Sequence, residues 1–286
     1  MQTKELQQSI TNNVIKLMSE HGNNWTMPWL VDNGMPTNAT NGNEYHGINI
    51  MLLAMQNMAT SEWATYKQWH LKDAQVKKGE HGTHIIFYKP LSIKDKDSGK
   101  DKTIPLMRNY TVFNADQVDG YESQTTIEKP CLVEKIKTVE TFIKNTNATI
   151  NNNSRAFYRP GDDTVNIPAP DLFKDTESST AQENYYSTLL HELVHWTGNK
   201  ERLDRKLQNE FSSKDYAKEE LVAELGATFL CISLGITKQP RIDHAQYLNS
   251  WLAVLKNDTN AIFRASAMAG RASDYLHGLQ EPPPQS

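Results

Sequence analysis

His191 and His195 stand four apart with a carboxylate between them, in the run His191-Glu192-Leu193-Val194-His195. On an α-helix, residues at that spacing share one face a turn apart, so both imidazoles can aim at a single cation. This H-E-x-x-H order is the pattern of zinc metallopeptidases. Glu192, beside the first imidazole, is placed to take a proton from water rather than to bind metal. With nine histidines in 286 residues, the pattern would arise by chance in roughly one or two sequences per hundred, so it needs a third ligand. The run from Tyr216 to Gly235 supplies Glu220 and Glu224, again four apart on one face. Carboxylates among Leu221, Val222, Leu225, Phe229 and Leu230 are costly to bury without a cation or a hydrogen-bond partner. The expected ligands are His191, His195 and Glu220, holding Zn2+ or another divalent ion such as Mn2+ and leaving a position for water. Glu224 is then placed to orient a histidine from behind, although the spacing lets the two glutamates exchange roles. Glu219 falls about a quarter-turn away and is expected to face solvent. Tyr185, Tyr216 and His244 are candidates for extra donors to a transition state.

These side chains need two helices to hold them. Thr180 and Glu183 form a capping box at the start of the first. Gly198 reads as its left-handed stop, and Leu189, Leu190, Leu193 and Val194 give it apolar flanks. Ahead of it, RAFYRPGDDTVNIP reads as a hairpin around Gly161-Asp162-Asp163, the small sheet that a zincin half-barrel needs. Leu132–Asn145 has helical periodicity, and Ile242–Lys256 and Asp258–His277 read as closing helices before a frayed EPPPQS tail. Earlier in the chain, Thr3–His21 is helical in spacing. A turn-rich segment with Trp25 and Trp29 follows, then a buried helix over Ile48–Met58. Trp63–Trp69 reads as a short helical turn or loop, and residues 75–90 as two strands around a Gly79–Gly82 turn. Lys94–Lys102 reads as a solvated loop and Leu106–Phe113 as a further strand. Glu122–Lys129, closed by Pro130, is the best linker.

Length and composition, with 38% hydrophobic residues, suit two domains of ordinary size. The net charge of −4 gives no overall pull toward nucleic acid. Cys131 and Cys231, far apart, fit a reduced compartment rather than a disulfide framework. No stretch is apolar enough to span a membrane, and MQTKELQQSITNN lacks a signal pattern, so a cytoplasmic location is expected.

The first domain carries a different chemistry. Lys67, Lys72, Lys77, Lys78 and Lys89 interleave with Trp63, Tyr66, Trp69, Phe87 and Tyr88. Aromatic faces beside lysines hold single-stranded nucleic acid by stacking bases while ammonium groups follow phosphates. Against this, tryptophans are more often core and lysines more often solvate a face. Charge is balanced over residues 1–120, and only Trp63–Tyr110 is basic, with ten cationic residues against five acidic.

Taken together, HELVHWTGNKERLDR, YAKEELVAELGATFLC and HAQYLNSWLAVLKND resemble the C-terminal half of the ArdC antirestriction family. PTNATNGNEYHGIN, WATYKQW, AQVKKGEHGTHIIFYK and YTVFNADQVDG resemble its N-terminal domain, which also occurs on plasmid conjugative primases. The resemblance runs in order from Trp25 to Tyr275. It implies an α+β protein with an N-terminal domain that binds single-stranded DNA, residues 1–125, and a zincin-like metallopeptidase domain, residues 126–286. It further implies carriage on mobile elements and protection of incoming DNA from host restriction, with a host restriction protein as a possible peptide substrate. His191, Glu192, His195 and the Glu220/Glu224 pair match the family's metal site. The rival expectation is a DNA-binding module whose metal domain is structural or regulatory and cleaves nothing. A metal-dependent nuclease is disfavoured, because one H-E-x-x-H site lacks a two-metal carboxylate cluster.

Overall fold

In a computed structural model, the residues described are 3–21, 34–94, 101–123, 132–176, 179–205, 207, 214–236 and 244–280. Trp25, Trp29, Cys131, the centres of the Lys94–Lys102 loop and of the linker, and the C-terminal tail lie outside them, as do the side chains of Tyr88, Lys89 and His244. The chain mixes helices and sheets and divides into two compact units, one from Met1–Ile10 and Met35–Thr126, the other from Thr11–Gly34 and Ile127–Ser286. Helix α1, Thr3–His21, contributes to both. Its periodic residues Ile10, Val14 and Met18 are buried, as the spacing predicts.

The first unit is built on a sheet in the order β1-β2-β5-β4, comprising β1 (Thr37–Asn38), β2 (Glu62–Thr65), β4 (Thr83–Lys94) and β5 (Asp101–Asn114). Residues 75–90 do form two strands, but not with each other. β3 (Gln75–Val76) pairs with β6 (Val118–Asp119), while β4 pairs along its whole length with β5, from Thr83 opposite Val112 to Lys94 opposite Asp101. Gly82 is needed where these strands meet, since a Cβ there would lie 2.4 Å from the Thr111 methyl and 2.9 Å from the Phe113 ring. Helix α2, Ile48–Ala54, closes the outer edge of β4. Its Asn49 amide donates to the Ile86 carbonyl at 2.7 Å and accepts from the Ile86 amide at 2.8 Å, as a neighbouring strand would.

Trp63–Trp69 holds the short helical turn expected, but only in its second half. It is β2 followed at once by α3, Tyr66–His70, and Thr65 marks the change because it caps the helix reciprocally with Gln68. Both tryptophans are core. Trp63, 2% exposed, packs with Tyr45, Leu53, Ile85 and Val112. Trp69, fully buried, donates its indole N–H to the Phe113 carbonyl at 3.0 Å and packs on Ala64, Ala74, Ala115 and Val118. The assignment of Trp63 and Trp69 to a base-stacking surface is therefore corrected: neither ring has a free face.

In the second unit, α4 (Leu132–Asn145) precedes a three-stranded sheet in the order β7-β9-β8, made of Thr149–Asn152, Thr164–Ile167 and Phe157–Arg159 respectively. β8 and β9 are the hairpin expected around Gly161, and β7 runs parallel to β9. Helices α5 (Ala181–Thr197), α6 (Lys214–Leu234), α7 (His244–Asn257) and α8 (Ala261–Gly278) complete it. α6 is buried almost all round, which marks it as the central helix of the unit. α5 packs on the hairpin and on α6.

The start of α5 is capped by Thr180 and Glu183 as the sequence predicts. Its end differs. Gly198 has φ −77°, an ordinary right-handed value, so the left-handed stop is corrected. Glycine leaves space there: a Cβ would meet Leu207 at 2.8 Å and the Arg205 guanidinium at 3.0 Å, so both side chains would have to shift. The loop beyond folds back and satisfies the carbonyls that every helix leaves unpaired at its end. Gly198 N–H donates to His195 O, Asn199 N–H to Trp196 O and Leu203 N–H to Thr197 O, while Arg205 reaches Val194 O.

The two site-bearing helices touch at Gly226, where a Cβ would lie 2.9 Å from both methyls of Val194. Gly226→Ala should cost about 1–3 kcal/mol by overpacking. The check is a thermal melt in chelator, which isolates the packing from any metal; a melting temperature equal to wild type would contradict the close approach.

Candidate metal centre

α5 brings His191 and His195 to one face, their rings 4.9 Å apart and inclined at 75°. From α6, Glu220 reaches between them. Its Oε2 lies 3.5 Å from His191 Nε2 and its Oε1 3.4 Å from His195 Nε2. Donor atoms held tetrahedrally at about 2.0–2.1 Å from a zinc ion stand roughly 3.3–3.4 Å apart, so these separations suit ligands around a cation. His191, His195 and Glu220 each offer one ligand atom, and those atoms all lie within 4.8 Å of one another.

The remaining glutamates divide by position. Glu224, 1% exposed, puts Oε2 3.2 Å from His191 Nδ1, on the ring edge away from Glu220. Of the exchangeable pair, Glu220 alone faces both Nε2 atoms, because the α6 turn between the two carboxylates carries Glu224 past the rings. Glu192 is buried on α5 next to His191. Glu219 does not face solvent, contrary to its angular position. Its side chain is 11% exposed, 3.3 Å from His195 Nδ1 and paired with Arg205 at 3.0 Å. α6 lies close enough to α5 that a second face of α6 reaches the site, and the Arg205 cation makes burial of that carboxylate tolerable. The signal in the sequence was the arginine of the NKERLDR loop, which spacing along α6 alone does not reveal.

The charges are strongly coupled. Burial opposes a charged His195, but the Glu220 and Glu219 carboxylates outweigh it and raise its pKa to about 10. Burial likewise opposes ionised Glu220, and the two imidazoles hold it well below the usual carboxylate range. Burial also opposes ionised Glu219, and His195 and Arg205 hold it low. The site is thus a buried cluster in which carboxylates and imidazoles stabilise each other's charged forms. Neither ring nitrogen of His191 makes a hydrogen bond of good geometry among the described residues, although both are fully shielded from solvent. An imidazole so placed fits a cation better than it fits a neutral core.

Tyr185 packs edge-on against Phe173 and Tyr186, with ring centroids 5.4 and 5.0 Å away, and burial raises its pKa. Tyr216 is half-buried on α6 one turn before Glu220.

On the first unit, the predicted DNA residues do not form one surface. Trp63 and Trp69 are inside. Tyr66 is exposed on α3, where its hydroxyl accepts from Gln75 at 2.8 Å. Lys72 lies over the Tyr121 ring at 5.5 Å, and Lys77 donates to the Asp116 carbonyl at 2.9 Å. Lys67 and Lys78 are exposed. Phe87, 46% exposed, is edge-to-face with Tyr110, 41% exposed, at 5.5 Å. Arg108 sits directly opposite Phe87 in the β4–β5 ladder and two residues from Tyr110, so all three share one sheet face. Only the pairing register brings Tyr110 and Arg108 beside Phe87, so spacing along the sequence does not reveal this cluster.

A two-helix H-E-x-x-H site packed on a small sheet defines a zincin-like domain, and residues 137–268 match the model of the zincin-like metallopeptidase family. Residues 4–113 match that of the N-terminal domain of the anti-restriction factor ArdC. The chain is 34% identical to the antirestriction ArdC protein of plasmid R388, whose metal-free crystal structure superimposes with a TM-score of 0.78 over 96% of this chain and 97% of that one. An Mn(II)-bound structure of that protein gives 0.76 at 35% identity, with the same coverage of both chains. The uncharacterized protein y4eC of Sinorhizobium fredii is 36% identical over 96% of this chain and 92% of its own length. A DNA primase TraC of Escherichia coli is 35% identical over 97% of this chain, which spans 27% of that protein. This chain belongs to the ArdC antirestriction family. No helix among the described residues is long and apolar enough to cross a membrane.

Proposed function

We propose that this protein guards DNA against restriction by binding single strands through its first unit, and that its second unit holds a divalent cation at a hydrolytic site. The observation that carries the metal reading is the convergence of His191 Nε2, His195 Nε2 and Glu220 on one point between two helices. A bound zinc or manganese ion would supply Lewis-acid polarisation of a peptide carbonyl and acidify water. Glu192 would act as base, taking the proton of the attacking water on its carboxylate and handing it to the departing amine. Glu224 would hold His191 in orientation through Nδ1. The DNA surface we infer is centred on the Phe87–Tyr110 pair with Arg108, and the exposed Tyr66, Lys67, Lys77 and Lys78 are separate candidate contacts. Two aromatic faces and a guanidinium suit stacking of successive bases beside phosphate contacts. We further infer that the two domains extend over residues 1–125 and 126–286, that the protein works in the cytoplasm, and that a host restriction protein is the candidate peptide substrate.

Binding of the full chain to labelled single- and double-stranded oligonucleotides across a salt series tests the DNA reading. Single strands should be preferred, with affinity falling steeply in salt. Phe87→Ala or Tyr110→Ala should cost about 1–3 kcal/mol with the salt slope unchanged, whereas Arg108→Ala or Lys77→Ala with Lys78→Ala should flatten the slope. Unaltered affinity in both aromatic variants would remove this surface from the reading.

A further inference from the structure

His195 has a partner on the side away from the ligand cluster. Glu219 Oε1 stands 3.3 Å from His195 Nδ1. Glu219 is itself gripped by Arg205, whose Nε and Nη2 reach its oxygens at 3.0–3.2 Å. The guanidinium does more than neutralise this carboxylate. Its Nη1 donates to Thr197 Oγ1 at 2.9 Å and its Nη2 to the Val194 carbonyl. Val194 and Thr197 lie in the same last turn of α5 as His195. Ring, carboxylate, guanidinium and helix end therefore close a circuit that begins and ends on one helical turn. Both charged side chains are buried, Arg205 at 8% exposure and Glu219 at 11%. Only the planar five-donor fork of arginine can bridge a carboxylate and two helix-end acceptors at once. Gly198 leaves the room for that fork, since a Cβ there would lie 3.0 Å from Nη2. A cation at this helix end also complements the dipole.

We propose that Glu219 and Arg205 are a positioning pair for His195. Glu219 accepts from Nδ1–H and so fixes the tautomer that turns the Nε2 lone pair toward the metal. Arg205 holds Glu219 against the end of the same helix. The proposal rests on the metal reading above. A pair serving stability alone has no need to end on the ring nitrogen of a ligand, nor to anchor on that ligand's own turn. Outer partners of this kind commonly change metal affinity by about 10–100-fold.

The test is titration of the full chain with Co2+, read as dissociation constant and as the visible absorption of the bound ion, with thermal melting in chelator as the measure of fold. The central variant carries Glu219→Met and Arg205→Met together, which removes the pair without leaving a buried charge alone. It should melt near the wild-type temperature in chelator, bind Co2+ about 10–100-fold more weakly and give an altered absorption spectrum. Glu219→Gln, whose amide oxygen still accepts from Nδ1–H, should recover most of the affinity. Wild-type affinity and spectrum in the double variant would overturn the proposal. Should that variant fail to fold, Arg205→Lys decides, because it keeps the charge but not the fork. It should weaken Co2+ by about tenfold, the lower end of the range expected for an outer partner, and unchanged binding overturns the pair. His195→Ala separates the two levels: equal Co2+ binding in it and in wild type sinks the metal site itself, whatever Glu219 does.

Discussion

Glu192→Gln should keep its metal and its fold and lose at least about 10²-fold in any peptide hydrolysis the protein performs. Glu192 is buried beside His191, while the proposed cation donors are His191, His195 and Glu220, so an amide of the same size should leave that set intact. What disappears is the carboxylate that accepts a proton, a role usually worth about 10²–10⁴ in rate. We expect this variant to protect transferred DNA as well as wild type, because a surface that covers a strand offers a direct route to shielding and no peptide substrate is implied by the site. Transfer into a restricting host, with Glu192→Gln beside the Phe87→Ala and Lys77/Lys78 variants, reads this out. Lost protection in Glu192→Gln, at unchanged DNA affinity and metal content, would make proteolysis the mechanism.

His195→Ala should abolish tight metal binding, from about one ion per chain to none retained through gel filtration. A cation held at the proposed site would join two helices, so its binding energy would also be folding energy. A ligand at 100 times its dissociation constant adds about 2.7 kcal/mol to stability. Zinc or manganese should therefore raise the melting temperature of wild type and leave that of His195→Ala unmoved. In chelator the variant should also melt lower than wild type, since Glu219 and Glu220 lose the imidazole that faces them. Elemental analysis finding equal metal in the two proteins would rule out the site.

The sequence by itself determined the local features. The four-residue spacing of His191 and His195, the repeat of that spacing at Glu220 and Glu224, and the Thr180–Glu183 box are all written within a few turns of helix, where geometry follows from the period alone. The same holds for the Phe157–Ile167 hairpin around Gly161 and for the buried face of α1. The tertiary structure decided whatever depends on two distant segments meeting. Glu219 looked solvent-facing because angle along one helix says nothing about what lies across from it, and Arg205 lies across from it. Gly198 had the residue type of a left-handed stop, yet its lack of a side chain serves the guanidinium that folds back over it. Trp63 and Trp69 had the composition of a stacking platform, but composition does not say which face of a strand or helix is covered, and β5 with its neighbours covers both rings. Tyr110 and Arg108 join Phe87 only through the register of β4 on β5, a pairing that local periodicity leaves open and that packing of the whole sheet sets.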